Sequence, residues 1–185
     1  TGNFEFDKFK SNFYPQMTVE VTKPYVKITQ NYKTIIKPQF LFVKSNLNAF
    51  NRKIPDESNV NNFYLDYFDL FNINRLSGND RVDNNTRFDY GLSFLKQSNL
   101  SAKSSKIGFA QSYQLENNKY LPKNSGINDK FSDILANIEL HPSQSLTLNS
   151  YFSINKDDFS IKNAFSNLSF NIKETSINVS NINAP

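Results

Sequence analysis

Cysteine is absent from the 185 residues of this chain, and histidine occurs once, at His141. The lack of cysteine excludes disulfide bonds and thiolate metal sites within it. Neither a glycine-rich phosphate loop nor a zinc-ligand spacing occurs in the sequence. There is also no run of about 18 apolar residues, which excludes a transmembrane helix but not a membrane-crossing strand.

The residues that remain offer little for catalysis. His141 lies in a Pro-containing stretch, 141–144, that is typical of a tight turn. Asp157 and Asp158 are adjacent, so in a strand they would point to opposite faces, and hydrogen bonding within a turn explains them better. We therefore predict that the protein is not an enzyme and has no catalytic residue, cofactor or metal ligand here.

Aromatic residues are abundant, with 18 Phe and 9 Tyr, although only 38% of the chain is hydrophobic. A disordered chain would lack these aromatics. The composition indicates apolar and polar surfaces of similar extent, as in a barrel with lipid outside and water inside. The net charge of +4 forms no basic stripe among the aromatics, which argues against nucleic-acid binding.

Period-two alternation dominates the sequence. It predicts strands near 17–22, 33–44, 86–96, 106–115, 133–140, 145–154, 159–170 and 173–181. Most of these have about the length of a tilted membrane-crossing strand, on the order of 9–11 residues. We predict that the outward, lipid-facing side chains include Phe88, Tyr90, Leu92, Phe94, Ile107 and Phe109.

The segment 159–170 departs from strict alternation. Phe159 and Ile161 share one parity, whereas Leu168 and Phe170 share the other. A one-residue slip exchanges the two faces of a strand, so a β-bulge near 162–165 would reconcile the halves.

The connections alternate in length along the predicted strands. Residues 45–85 and 116–130 form long loops, and in an up-and-down sheet they lie on the same side as the short connection 155–158. The connections 97–104 and 141–144 lie on the other side. Because outer-membrane barrels have longer external loops, we expect the long ones to be external.

The fold class predicted is therefore all-β: an antiparallel, up-and-down transmembrane β-barrel segment of about eight or nine strands. No linker or repeat divides residues 1–185, which we interpret as one region of a barrel domain. The chain begins at Thr1 with no signal peptide, so we expect a piece of a longer protein.

The loop before the strand at 86–96 has a recognisable order of residues. Residues 69–82 read Asp-Leu-Phe-Asn-Ile-Asn-Arg-Leu-Ser-Gly-Asn-Asp-Arg-Val, and Thr86-Arg87 follows. This resembles the LptD family, with its Leu-Phe, Asn-Arg, Gly, Asp-Arg and Thr-Arg series. Shorter matches continue in family order at Tyr14-Pro15-Gln16, Ile36-Lys37-Pro38, Gln111-Ser112-Tyr113, Ser125-Gly126, Ser132-Asp133-Ile134, Leu140–Ser143 and Lys156–Asp158. Lys37 departs from the family, which often has an acidic residue before that Pro.

The resemblance implies a large barrel in the bacterial outer membrane that assembles lipopolysaccharide (LPS) in the outer leaflet. It implies three kinds of partner: LPS, an LptE-type lipoprotein plug inside the barrel, and periplasmic Lpt bridge components that act through a jellyroll domain. This chain would form part of the central barrel wall.

Charged residues in the first long loop are the candidate site. Arg75, Asp80, Arg81 and Arg87 would contact the plug or LPS phosphates, since guanidinium groups bind phosphate through two parallel hydrogen bonds. In the alternative interpretation these residues, together with Asp83, pair with one another and hold the loop.

Two further expectations concern the surroundings of this loop. The aromatic residues Phe63, Tyr64, Tyr67, Phe68 and Phe71 would pack it against the barrel rim. The inward polar residues, including Lys37, Gln39, Asp89, Ser93, Asn137, Glu139 and Asn149, would face water in the lumen.

Two rival interpretations remain open at this stage. A small porin-like outer-membrane barrel has the same alternation. A soluble carbohydrate-binding β-sandwich would bury its apolar faces between two sheets, and period-two patterning alone does not distinguish it from a barrel.

Overall fold

The computed structural model describes residues 15–45, 65–75, 83, 85–115, 126–127 and 129–183. Within these ranges the chain forms a single antiparallel sheet of nine strands. The strands are β1 (Gln16–Thr22), β2 (Tyr25–Ile28), β3 (Tyr32–Ser45), β4 (Arg87–Ser98), β5 (Ser104–Gln114), β6 (Ile134–Ser143), β7 (Leu146–Ile154), β8 (Ile161–Ile172) and β9 (Thr175–Asn183). One short 3-10 helix, Asp69–Phe71, lies in the described part of the chain.

Each strand pairs with its neighbour in the chain, except that β1 and β2 both pair with β3. They form one interrupted strand, because Thr22 lies opposite Gln39 and Tyr25 opposite Ile36 in the same register. The interruption falls at Lys23-Pro24. Proline has no N–H to donate to the ladder, so the hydrogen bonding breaks there while the register continues.

The sheet is open, with β1 and β2 at one edge and β9 at the other. It is an up-and-down meander, as the alternation predicts, and has the arrangement of a partial barrel wall. The connections 46–86, 115–133 and 155–160 leave from one end of the strands, which we call the long-loop side. The connections 29–31, 99–103, 144–145 and 173–174 leave from the other, the short-turn side.

The two faces of the sheet differ in chemistry. Leu92 pairs with Phe109 and Phe94 with Ile107, so their apolar side chains share the outer face. The opposite, inner face contains the polar residues of the same strands. Much of the outer face is exposed: Leu92 is 50% and Phe109 52% accessible to solvent.

A one-residue shift in β8 keeps this outer face continuous. Ser153 pairs with Asn163 and Ile154 with Ile161, which leaves Lys162 as the extra residue. The bulge predicted near 162–165 is therefore confirmed. It returns Leu168 and Phe170 to the same face as Leu148 and Leu146.

Two predicted boundaries are wrong. The stretch 141–144 is not all turn: β6 continues through His141 and Pro142 to Ser143, with a second register shift between Leu140 and Ser143. Phe159 is not in a strand but in the connection before β8, where its φ of 58° lies in the left-handed region. Its N–H donates to the Asn155 carbonyl oxygen at 3.0 Å, and the Asn155 N–H donates to the Ser160 carbonyl oxygen at 2.8 Å, which closes that connection.

No second sheet packs on this one within the described ranges, so the sandwich interpretation is not favoured. Among the described residues, no helix has the length and apolar character needed to cross a membrane.

Candidate functional site on the inner face

Residues 65–75, here called the cap segment, fold back from the long-loop side onto the inner face of the sheet. Asp66 starts the fold locally, because its Oδ1 accepts hydrogen bonds from the backbone N–H groups of Phe68 (2.7 Å) and Asp69 (2.8 Å). A side-chain acceptor at this position satisfies donors that a short helical turn leaves free. The turn then directs successive apolar side chains toward the strands.

The cap segment covers parts of β5 and β6. Leu65, Tyr67 and Leu70 are buried in one cluster with Ala110, Ile127 and Leu135. Ala110 belongs to β5 and Leu135 to β6, and both point inward between the outward residues of those strands. The buried core of the described chain is therefore formed by the cap segment and the inner face.

Two strand glycines make room for the aromatic side chains of the cap segment. A Cβ added to Gly91 of β4 would lie 2.9 Å from Phe71 Cζ, and one added to Gly108 of β5 would lie 2.8 Å from Tyr67 Cζ. Both distances are shorter than van der Waals contact. Glycine within a strand often marks such a close approach of another group.

The charges at the end of the cap segment form a buried cluster of Arg75, Asp83, Arg87 and Asp89. Arg75 Nε donates to Asp83 Oδ2 at 2.5 Å, and Arg87 Nη1 donates to the same oxygen at 2.9 Å. Arg87 Nε also donates to Asp89 Oδ2 at 2.7 Å. All four side chains have no exposed surface. Two cations are thus balanced by two carboxylates.

Further hydrogen bonds tie this charge cluster to both the cap segment and the sheet. Arg87 Nη2 donates to the carbonyl oxygens of Asn72 (2.5 Å) and Ile73 (3.1 Å) in the cap segment. Ser112 of β5 accepts from Arg75 Nη1 at 3.1 Å and donates to Asp89 Oδ1 at 2.5 Å. Removing one partner of such a network leaves a buried charge unbalanced, which is strongly destabilising.

Asp83 is the shared carboxylate of the cluster. Burial alone would raise the pKa of its carboxyl group, but the charges of Arg75 and Arg87 outweigh burial and hold that pKa below its usual value. Asp83 therefore stays ionised at neutral pH.

A second polar group fastens the connection between β5 and β6 to the same face. Gln114 is fully buried, accepts a hydrogen bond from Asn85 and donates one to the carbonyl oxygen of Ile127. Ser132 accepts from the Ser112 N–H at 2.9 Å. Asn85, just before β4, and the connection between β5 and β6 are thus both held against β5.

The part of the inner face that the cap segment covers ends near β7. Phe68 lies edge-on to Tyr151, with ring centroids 5.9 Å apart, and Lys106 Nζ lies 5.0 Å from the Phe68 ring centre. Beyond this edge is an inner recess of about 430 Å³, bordered by Leu65, Tyr151, Phe165 and Ile182. Within the described part of the chain, the inner face of β8 remains partly exposed beyond this recess, at Asn167 and Ser169, and the residues of β9 are exposed.

The candidate residues from the sequence have mixed outcomes. Arg75 and Arg87 are brought together, paired with Asp83 as in the alternative interpretation. Asp80 and Arg81 lie outside the described residues, as do Phe63 and Tyr64. A phosphate or plug contact by these Arg residues remains a prediction. It would require Arg75 and Arg87 to leave their carboxylate partners.

The six predicted outward residues all lie on the outer face. Tyr90, Leu92, Phe94 and Phe109 are exposed, while Phe88 and Ile107 are partly covered by neighbours. Phe88 packs against Phe42 of β3, with ring centroids 4.8 Å apart. Contact with lipid remains a proposal.

Two expectations about the inner face were wrong. Asp89, Ser93 and Asn137 do not face open water, because the cap segment buries them to 8% exposure or less. Tyr67 and Phe71 pack on the face of the sheet at Gly91 and Gly108, not at its rim. The signal that could have predicted this was the pair of glycines at inward positions.

An open antiparallel meander with an apolar outer face, a polar inner face and a loop folded inward has the arrangement of a wall segment in one class of protein, the outer-membrane β-barrels. A comparison with protein-family models matches residues 1–185 to LptD, LPS transport system D. The chain belongs to the LptD family, and its role lies in LPS transport. A comparison with curated proteins found no match.

Proposed function

We propose that this chain forms part of the barrel wall of the outer-membrane translocon that assembles LPS in the outer leaflet, and that it catalyses no reaction. The observation that carries this proposal is the division of one sheet into two faces. Exposed apolar side chains such as Leu92 and Phe109 suit lipid, while the opposite face suits a lumen that holds protein and water.

The cap segment narrows the lumen in this proposal. It lies on the inner face of β4 to β6 and reaches there from the long-loop side, which would be external. The buried charge cluster holds it closed. Arg75 and Arg87 would then act by positioning this segment, and a direct contact with LPS phosphate would need the cluster to open.

An LptE-type plug would contact the inner face at the inner recess, next to the cap segment, and leave the inward residues nearer the short-turn side, such as Asn167, in water. Tyr151, Phe165 and Ile182 border the inner recess there and present apolar surface inward. Exposed apolar patches on a protein surface mark interaction sites, so apolar residues on a lumen face suit contact with a protein partner. Periplasmic Lpt bridge components would act on other parts of the protein.

Cysteine labelling tests the wall assignment. Single cysteines at 86–96 of the full-length protein in membranes, with native cysteines masked, are treated with a lipid-soluble or a water-soluble maleimide. We expect the lipid-soluble reagent to label the even positions, such as Leu92. If the even positions resist both reagents, they lie in a protein core and the proposal fails.

Photocrosslinking tests the plug contact separately. A photoreactive amino acid at Ile182, on the inner face of β9, should capture the lipoprotein. The matched control is Val179, which lies on the outer face of the same strand opposite Leu168. Equal capture at both positions, or at neither, would exclude this contact surface.

A further inference from the structure

A second recess, of about 410 Å³, lies at the short-turn side of the sheet, between the ends of β3, β4, β5 and β6. We call it the rim recess. Basic, hydroxyl and apolar side chains line it, chiefly Tyr32, Lys96, Lys103, Ser105, Leu140 and His141. It is separate from the cap segment and the charge cluster.

The rim recess continues the outer face beyond its apolar band. Lys96, Ser105 and Leu140 lie in one row across β4, β5 and β6. The next outward row along these strands is apolar: Phe94, Ile107 and Ile138. A row that contains a lysine and a serine therefore borders an apolar surface, as expected where a membrane surface meets its hydrocarbon core.

The charges of the rim recess favour an anion. Lys96 and Lys103 are cationic and exposed, and no carboxylate is among the described residues that line it. Lys96 Nζ lies 4.5 Å above the Tyr32 ring, so the aromatic ring holds the ammonium group at this edge. His141, another lining residue, contacts Thr147 Oγ1 through its Nδ1 at 3.1 Å.

We propose that the rim recess binds the phosphate of a glycerophospholipid whose acyl chains lie along Phe94, Ile107 and Ile138. The inference rests on the proposed function, because it needs the outer face to contact lipid. The short-turn side would then face the periplasm and the phospholipid leaflet. A lysine pair beside a Tyr ring supplies charge-assisted hydrogen bonds to phosphate, and the apolar row distinguishes a lipid from a free anion.

The test uses the full-length protein in vesicles of phosphatidylethanolamine with a minor fraction of phosphatidylglycerol that carries a photoreactive headgroup. The variant is Lys96→Gln with Lys103→Gln. The matched control is Lys44→Gln, an exposed lysine on the outer face of β3 at the opposite, long-loop side. We expect crosslinks to residues 96–105 to fall about tenfold in the variant and to stay unchanged in the control.

Three results would overturn the proposal: unchanged crosslinking in the double variant, equal crosslinking around residue 44, or complete competition by inorganic phosphate. The cysteine labelling of 86–95, repeated in the double variant, separates this test from that of the wall. Labelling of the even positions shows that the variant is folded in the membrane, so a retained crosslink then contradicts the phospholipid site alone.

Discussion

The inner faces of β4 and β8 have the same alternation but very different surroundings. Arg87 and Asp89 of β4 are fully buried, whereas Asn167 and Ser169 of β8 remain partly exposed. The cap segment causes the difference, because it reaches β4, β5 and β6 and ends beside Tyr151 of β7. The inner face thus has two sectors, one under the cap segment on β4 to β6 and one on β8 and β9. A polar residue at an inward position is buried and paired in the first sector and faces water in the second.

The two sectors differ in the residues at their inward positions. Under the cap segment, inward positions hold glycine, alanine and paired charges, which provide space and balance. On β8 and β9, beyond Phe165 and Ile182 at the inner recess, they hold Asn and Ser, and Ser180 donates to Asn167 at 3.0 Å.

Asp83→Asn should open the cap segment. The substitution leaves Arg75 and Arg87 short of a counter-charge in a buried site. We expect the free energy that favours the closed cap segment to fall by about 3–5 kcal/mol. Hydrogen exchange of residues 65–75 in the full-length protein measures this loss. Asp158→Asn, in the exposed connection before β8, serves as the control and should leave exchange unchanged. Unchanged exchange in the Asp83 variant would show that the cluster does not hold the segment.

Acidification should also open the cap segment. The pKa of Asp83 is lower when the cap segment is closed than when it is open, so closure gains its stabilisation above the open-state pKa of about 3.9. That stabilisation is lost as the pH falls through the lower, closed-state pKa. Exchange of 65–75 measured on a descending pH series, corrected for intrinsic rates, should rise below about pH 4. The rise should be absent in Asp83→Asn.

Arginine substitutions should distinguish the faces as well as the sectors. On the outer face, Phe88→Arg or Leu92→Arg should cost about 2–4 kcal/mol of unfolding free energy in membranes. Asn167→Arg, on the uncovered inner face, should stay within about 0.5 kcal/mol. Urea titration in vesicles provides the comparison, and equal losses at Leu92 and Asn167 would refute the assignment of faces.

Ser93→Arg should cost more free energy than the expectation from sequence, that Ser93 faces water in the lumen, would give. An inward position in a water-filled lumen would accept arginine at little cost. Ser93, however, is 8% exposed and pairs with Gly108, against which Tyr67 packs. The larger side chain must displace the cap segment, so its cost should exceed that of Asn167→Arg.

Among the changes that act on the cap segment, the glycine contacts should give the smallest effect. Gly91→Ala should cost about 1–3 kcal/mol of cap closure, because its new methyl group meets Phe71. A double-mutant cycle with Phe71→Ala isolates this contact from the other neighbours of Gly91. Hydrogen exchange of 65–75 provides the readout. Strict additivity of the two substitutions would mean that Phe71 does not rest on Gly91.

Alternation predicted the sheet well because side-chain period and strand pairing are local properties. It located eight of the strand segments and the bulge at Lys162. It missed the separate strand β2, since Pro24 hides the continuity of β1 with it. It also assigned Phe159 to a strand, because parity alone does not report a left-handed φ.

The candidate site was only partly predictable. Arg75 and Arg87 were singled out by their place in the charged loop, but Asp89 and Ser112 were not recognised as their partners. The contact of Arg75 with Ser112 joins residues 37 positions apart, and it depends on how the loop crosses the sheet. Arg87 and Asp89 are two positions apart on one face of β4, so that pairing was within reach of the alternation. Periodicity gives the face on which a residue lies and does not give what covers that face.

The most direct test of the account compares three single cysteines, Leu92→Cys, Ser93→Cys and Asn167→Cys, in the membrane-embedded protein with native cysteines masked. We expect the first to react only with a lipid-soluble maleimide, the second with neither reagent, and the third with a water-soluble one. Adding Asp83→Asn should make position 93 reactive toward the water-soluble reagent. If positions 93 and 167 react equally fast without that change, the cap segment does not cover the inner face and the account is contradicted.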